Sequence, residues 1–225
     1  MSARSAATAP AVLSYYALCK TVGVIALALP FALAGGTILL SKLGPAHRLP
    51  QPLLQRSISD YYYTPLGNLL VGSLFAIATI LICSRGYELA DEVTGLLAGF
   101  ATLGVAVFPS VNPRGFYTET QVQVGFAHTT FAAGMFLALA YFCLVLFRRS
   151  TPGVRPTRRK RQRNRVYAFC GVVIMLCNVV MAAQTIPVVF KRMDPYRPLL
   201  VSETLALAAF GVAWLTKGKG LLKDR

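Results

Sequence analysis

The sequence predicts an all-α integral membrane protein, a six-transmembrane-helix bundle with both termini in the cytoplasm. Three observations lead there. Hydrophobic residues make up 55% of the 225-residue chain and charged residues only 14%, whereas a soluble domain carries roughly 25% charge to cover its surface. The charges are clustered, leaving apolar stretches near the ~18 residues needed to cross about 30 Å of hydrocarbon. Finally, the 23 Lys and Arg residues divide unevenly when alternate connections are assigned to opposite faces, 16 against 7. Cytoplasmic loops are the ones enriched in Lys and Arg, so the side with sixteen is predicted to be cytoplasmic.

The first segment, about 18–40, follows a short Ala/Ser-rich start from Met1 to Pro10. It is longer than the 7–15 apolar residues, roughly, of a signal-peptide core, so a retained first helix is expected. The second, about 65–83, opens on Thr64-Pro65, a helix-capping residue followed by proline at the first helical position. The third, about 93–109, is short and carries Gly95 and Gly99, a spacing that lets two helix backbones approach. The fourth, about 124–147, contains His128, and a basic cytoplasmic loop, 148–165, follows it. The fifth, about 166–186, carries Asn178 and Gln184, expected to bond between helices. The sixth, about 198–216, contains Ser202 and Glu203. Pro109 and Asn112-Pro113 read as turn residues between the third and fourth segments. No internal repeat splits the chain into matching halves, which argues against an inverted-repeat carrier.

The net charge of +15 sits mainly in the run from Arg155 to Arg165 and in the tail residues Lys217, Lys219, Lys223 and Arg225. That pattern serves topology and attracts anionic inner-leaflet lipid near 155–165. No aromatic residue interleaves the run, so a nucleic-acid partner is not expected. Tyrosines and Trp214 near the segment ends suggest two interfacial belts. The five cysteines, Cys19, Cys83, Cys143, Cys170 and Cys177, are odd in number and lack metal-site spacing, so they read as small hydrophobes rather than a disulfide framework.

Ionisable groups within an apolar segment are costly and therefore candidates for function. His128 lies about four residues, and Glu203 about five, from the outer ends of their helices. Both are then roughly 6–8 Å deep, which points to a shared polar pocket near the outer leaflet. Ser57, Ser59 and Asp60, in the stretch leading to the second helix, line its mouth, and Ser202 adjoins Glu203. Simpler roles compete: a backbone carbonyl for His128, an ion pair with Arg197 or Arg56 for Glu203, an interfacial anchor for the tyrosines. Asp60 is expected to fold inward toward His128.

The leading functional expectation is a pocket for a lipid-like or small amphiphilic ligand, with no cofactor. The alternative is a metal-dependent membrane lipid hydrolase with zinc on Asp60, His128 and Glu203 and Ser57 beside them, since zinc accepts mixed nitrogen and oxygen ligands. A small oligomeric channel or carrier stands third, because no charge lies near the bilayer midplane.

Three stretches, Arg56-Ser-Ile-Ser-Asp-Tyr-Tyr-Tyr-Thr64, Ser84-Arg-Gly-Tyr-Glu88 and Lys160-Arg-Gln-Arg-Asn-Arg-Val-Tyr167, resemble a family of bacterial multi-pass membrane proteins, the domain-of-unknown-function class 998. That resemblance implies a topology and a place in the bacterial inner membrane, without an activity. A fainter likeness is to the membrane hydrolases that include alkaline ceramidase and the progestin/adiponectin receptors, which use a serine, an aspartate and three histidines around zinc. Ser57, Asp60 and His128 match part of that pattern. The chain departs from it in having only His47 and His128, with Ser202-Glu203 where the last helix of those proteins has a pair of histidines.

Overall fold

The computed structural model describes residues 15–43, 52–84, 88–115, 117–150 and 155–221. The expectations for the Met1–Pro10 start, His47, Arg85, Tyr87, residues 151–154 of the basic loop, and Lys223 and Arg225 fall outside the described residues.

Among the described residues the chain forms seven α-helices: α1 (Tyr15–Leu43), α2 (Gly67–Cys83), α3 (Leu89–Val107), α4 (Glu119–Leu144), α5 (Arg158–Ala183), α6 (Pro187–Met193) and α7 (Pro198–Lys217). Five of them, α1, α3, α4, α5 and α7, are long and apolar enough to cross a membrane. The apolar α2 is shorter, at 17 residues.

Local chemistry explains where the helices depart from the expected bounds. α2 starts at Gly67 rather than Pro65. The Thr64 hydroxyl accepts from Leu66 N at 3.2 Å and so closes a turn instead of capping the helix. Gly67 is then required, because a Cβ there would run into the Tyr62 carbonyl. α3 begins four residues before 93, where Glu88 and Asp91 form a reciprocal capping box. α4 begins five residues before 124 with a Thr118/Gln121 box. The expected basic loop, 148–165, is helix from Arg158 onward: Thr157 accepts from Lys160 N at 3.1 Å, and Arg and Lys propagate a helix well. α6 had no periodic apolar signal and was not expected.

Packing runs in a closed ring, α1 against α2, then α3, α4, α5, α7 and back to α1, with α4 also touching α7. Two close crossings hold it. A Cβ on Gly99 would lie 3.0 Å from the Ala78 carbonyl oxygen, and one on Gly95 3.0 Å from that of Leu81, so the Gly95/Gly99 step is the α2–α3 contact. Gly23 and Gly211 do the same for α1 and α7: a Cβ on Gly211 would lie 2.8 Å from the Gly23 carbonyl oxygen. Small residues permit such approach where no apolar driving force separates helix from lipid.

One end of the ring gathers the starts of α1, α3 and α5 and the basic residues of α5 and α7; we call it the basic end. Here Phe142, Phe147 and Phe210 pack around Trp214, with ring centroids 5.5–5.8 Å apart. Trp214 and Tyr167 are therefore buried core residues rather than members of an interfacial belt, and Tyr61 is likewise fully buried. Four cysteines are buried and Cys83 is exposed; all five are free thiols.

Candidate functional site

The opposite end of the ring is closed by the chain itself. Between residues 55 and 66 it folds down among α2, α4 and α7, burying Gln55, Ser57, Ile58, Asp60 and Tyr61. The turn is built locally. Ser57 Oγ accepts from Asp60 N at 3.0 Å, Ile58 O accepts from Tyr61 N at 3.2 Å, and Ser59–Tyr63 forms a short 3-10 helix.

Buried backbone in an apolar bundle needs partners for its polar groups, and α7 supplies them. Arg56 O accepts from Leu200 N at 2.9 Å, which satisfies one of the N–H groups left open in the first turn of a helix. In return Glu203 Oε2 accepts from Ile58 N, and the Ser59 N–H is directed at the same carboxylate. The Arg197 guanidinium donates to Leu54 O. Arg197 itself takes φ 50° just before Pro198, aiming its side chain back over the turn. Glu203 thus holds backbone N–H groups, not Arg197 or Arg56 as the simpler ion-pair reading had it.

His128 is 7% exposed on α4. Its Nδ1 stands 2.7 Å from Phe108 O and its Nε2 2.9 Å from Ser59 Oγ. A carbonyl only accepts, so Nδ1 carries the proton; in the neutral ring Nε2 then accepts from the Ser59 hydroxyl. The end of α3 is thereby tied through one imidazole to the turn.

Asp60 lies on the same turn but faces another way. Its carboxylate pairs with Arg56 Nε at 3.6 Å and accepts from Ser110 Oγ at 3.4 Å. The Tyr63 hydroxyl donates to Ser110 O at 2.5 Å. Burial pushes the Asp60 carboxyl above its usual range, against the pull of Arg56, the Ser57 and Ser110 hydroxyls and Arg114. Its charge is felt at His128, yet its bonds go to Arg56 and Ser110, so the inward fold toward His128 is realised in depth but not in contact.

The turn gathers five of the expected residues, Ser57, Ser59, Asp60, His128 and Glu203. Ser202 is buried on α7, and no hydrogen bond joins it to the turn among the described residues. His128 and Glu203 do not meet; each closes on a different part of Ile58-Ser59. Sequence reasoning missed Phe108, which lies inside the third predicted segment, Ser110, in a connection read only for its Pro109 and Asn112-Pro113 turn residues, and Gln55, which accepts from the Arg114 guanidinium.

Space and ligand geometry then constrain the chemistry. A cavity beside His128, Ser59, Ser110 and Tyr62 has a volume of about 10 Å³, room for one water and not for an amphiphile. Among the described residues no three His, Cys, Asp or Glu side chains are grouped to hold a metal ion. The zinc alternative therefore finds no ligand set in Asp60, His128 and Glu203, which are committed to an ion pair, a hydroxyl and carbonyl, and backbone N–H groups. The larger space lies elsewhere: an apolar groove of about 710 Å³ between α3 and α4, lined by Ala90, Leu97, Phe100, Phe131, Gly134 and Tyr141 among others. No protein-family model, curated protein or solved structure matches the chain.

Proposed function

We propose that this chain is a six-span membrane protein that holds the acyl chain of a bilayer lipid in the α3–α4 groove, with its basic end and both termini in the cytoplasm. The ring of six apolar helices supports six spans, because α2 at 17 residues still reaches about 26 Å at 1.5 Å per residue, close to the hydrocarbon thickness. The 16-to-7 division of Lys and Arg supports the orientation.

The groove carries the functional reading. It is apolar, sits on the outer wall of the ring and has the volume of a small-molecule site. The polar cluster, by contrast, is filled by the chain's own turn, so it serves as a lock on the bundle and the ligand lies in the groove. The depth at which the groove runs, from Ala90 and Tyr141 at the basic end toward Phe131, suits a lipid of the inner leaflet.

Gly134 provides the test. A Cβ added there meets nothing within 4 Å, so Gly134→Phe fills the groove without disturbing the ring. Lipid extracted from the purified protein is expected to contain a copurifying species that the Gly134→Phe protein lacks, with helical content unchanged. The same species in equal amount in both proteins would overturn the groove reading. Orientation is tested separately, in a Cys83→Ser background: an impermeant maleimide added from outside labels a cysteine placed at Asn112 and leaves one at Gly153 unlabelled.

A further inference from the structure

Phe147, in the short turn Leu146–Arg148 after α4, lies at the centre of the basic end. Lys160 of α5 donates through Nζ to the Phe147 carbonyl at 2.8 Å. Lys217 of α7 places its Nζ 5.1 Å from the centre of the Phe147 ring. The two ammonium groups lie near enough to repel each other, and Arg163 of α5 bears on both. On the α1 side Lys219 stands 4.6 Å over the Tyr16 ring.

Among the described residues, carboxylates are scarce here. Arg149 pairs with Glu88 at 2.6 Å, and the Asp91 carboxylate, whose charge reaches Lys217, accepts from Glu88 N at 3.3 Å. Among the described residues, neither Lys160 nor Lys217 forms an ion pair. Both are half-buried. Partly desolvated like charges drawn from two helices onto one aromatic residue are unfavourable unless an anion joins them. The Phe147 carbonyl and ring orient the ammonium groups without neutralising either.

We infer that Lys160 and Lys217, with Arg163, bind the phosphate of an anionic lipid in the leaflet at the basic end. A lipid rather than a soluble anion fits because the site stands where the apolar part of α5 begins. Beyond it that helix turns Phe169, Val172 and Leu176 outward, each at least half exposed, as a surface for the tails. The inference rests on the membrane placement proposed above and not on the α3–α4 groove, which lies on another wall of the ring.

The test uses the full-length protein in nanodiscs of equal parts phosphatidylcholine and phosphatidylglycerol, with lipids retained on the protein counted by native mass spectrometry. Phosphatidylglycerol should be retained preferentially. Lys160→Gln/Lys217→Gln should lower that preference about thirtyfold, from roughly 1 kcal/mol per basic residue near a membrane surface at about 1.4 kcal/mol per tenfold. Arg158→Gln/Arg161→Gln, which removes the same charge from exposed positions of α5, should keep it, and Lys160→Arg/Lys217→Arg should restore it. Unchanged helical content and thermal unfolding show that the Gln variants are folded. An equal loss in the Arg158/Arg161 variant, no preference in the parent protein, or displacement of the lipid by inorganic phosphate at matched concentration would each overturn the assignment. None of those outcomes touches the groove.

Discussion

Removing the Glu203 carboxylate tests whether the turn at residues 55–66 is held from α7. Glu203 receives the Ile58 N–H, with the Ser59 N–H directed at it, in a region where water is scarce. Leaving a buried N–H without its acceptor costs about 1–3 kcal/mol. Glu203→Ala, which strands two of them, should therefore destabilise the protein by about 2–6 kcal/mol, less whatever an entering water recovers. Glu203→Gln keeps one acceptor oxygen but turns an NH2 toward a backbone N–H, so roughly half that loss is expected. Thermal unfolding in detergent, followed by circular dichroism, should show a fall on the order of 10 °C for the Ala variant. The turn should also loosen first: a cysteine at Ile58, buried in the parent, should react with a thiol reagent well before the helices melt. If Glu203→Ala unfolds like the parent and the cysteine stays protected, the clamp is wrong. Unchanged stability together with a lost copurifying lipid would instead make Glu203 a ligand contact and return the polar cluster to the functional site.

Three further outcomes are expected. Gly211→Ala should destabilise by about 1–3 kcal/mol, because its Cβ would lie 2.8 Å from the Gly23 carbonyl oxygen, whereas Gly35→Ala, with nothing within 4 Å, should be silent; chemical or thermal unfolding separates them. The Ser59 hydroxyl, although bonded to His128 at 2.9 Å, should resist a fluorophosphonate. The N–H groups of Ser59, Asp60 and Tyr61 are already directed at Glu203, Ser57 and Ile58, leaving no donors there for an oxyanion; covalent labelling of Ser59 would revive the hydrolase. Asp60, whose carboxyl is held above its ordinary 3.8, binds more protons in the folded than in the unfolded state between those two pKa values. Stability should thus fall as pH rises through that window, and Asp60→Asn should flatten the slope in acid-range unfolding curves.

Much of this was legible in the sequence because apolar length and charge placement act one segment at a time. Each segment of apolar residues became a helix, and the depth argument brought His128 and Glu203 to the same turn. What failed needed knowledge of a neighbour. The Gly95/Gly99 spacing shows within one helix, but Gly23 and Gly211 lie 188 residues apart and neither belongs to a visible motif. Thr64-Pro65 looks like a helix start, and only the collision of a Gly67 Cβ with Tyr62 moves that start two residues on. The basic run reads as a loop by polarity, yet Thr157 caps it and its residues favour a helix.

The polar cluster teaches the converse. A carboxylate and an imidazole inside apolar helices suggest a ligand because their burial must be compensated. Here the compensating groups belong to the chain: a turn entering an apolar ring brings unpaired N–H groups that only an acceptor from a helix can satisfy, and α7 in turn has an open N–H that the turn's carbonyl fills. Glu203 and the Leu200–Arg56 bond are two halves of one exchange, with His128 joining α3 to it from the other side. Compensation drawn from within the chain leaves the Glu203 and His128 side chains no chemistry over for a substrate. The places where it is incomplete, a groove whose Gly134 faces open space and two lysines sharing Phe147 with no ion pair among the described residues, are therefore where a molecule other than this chain has something to add.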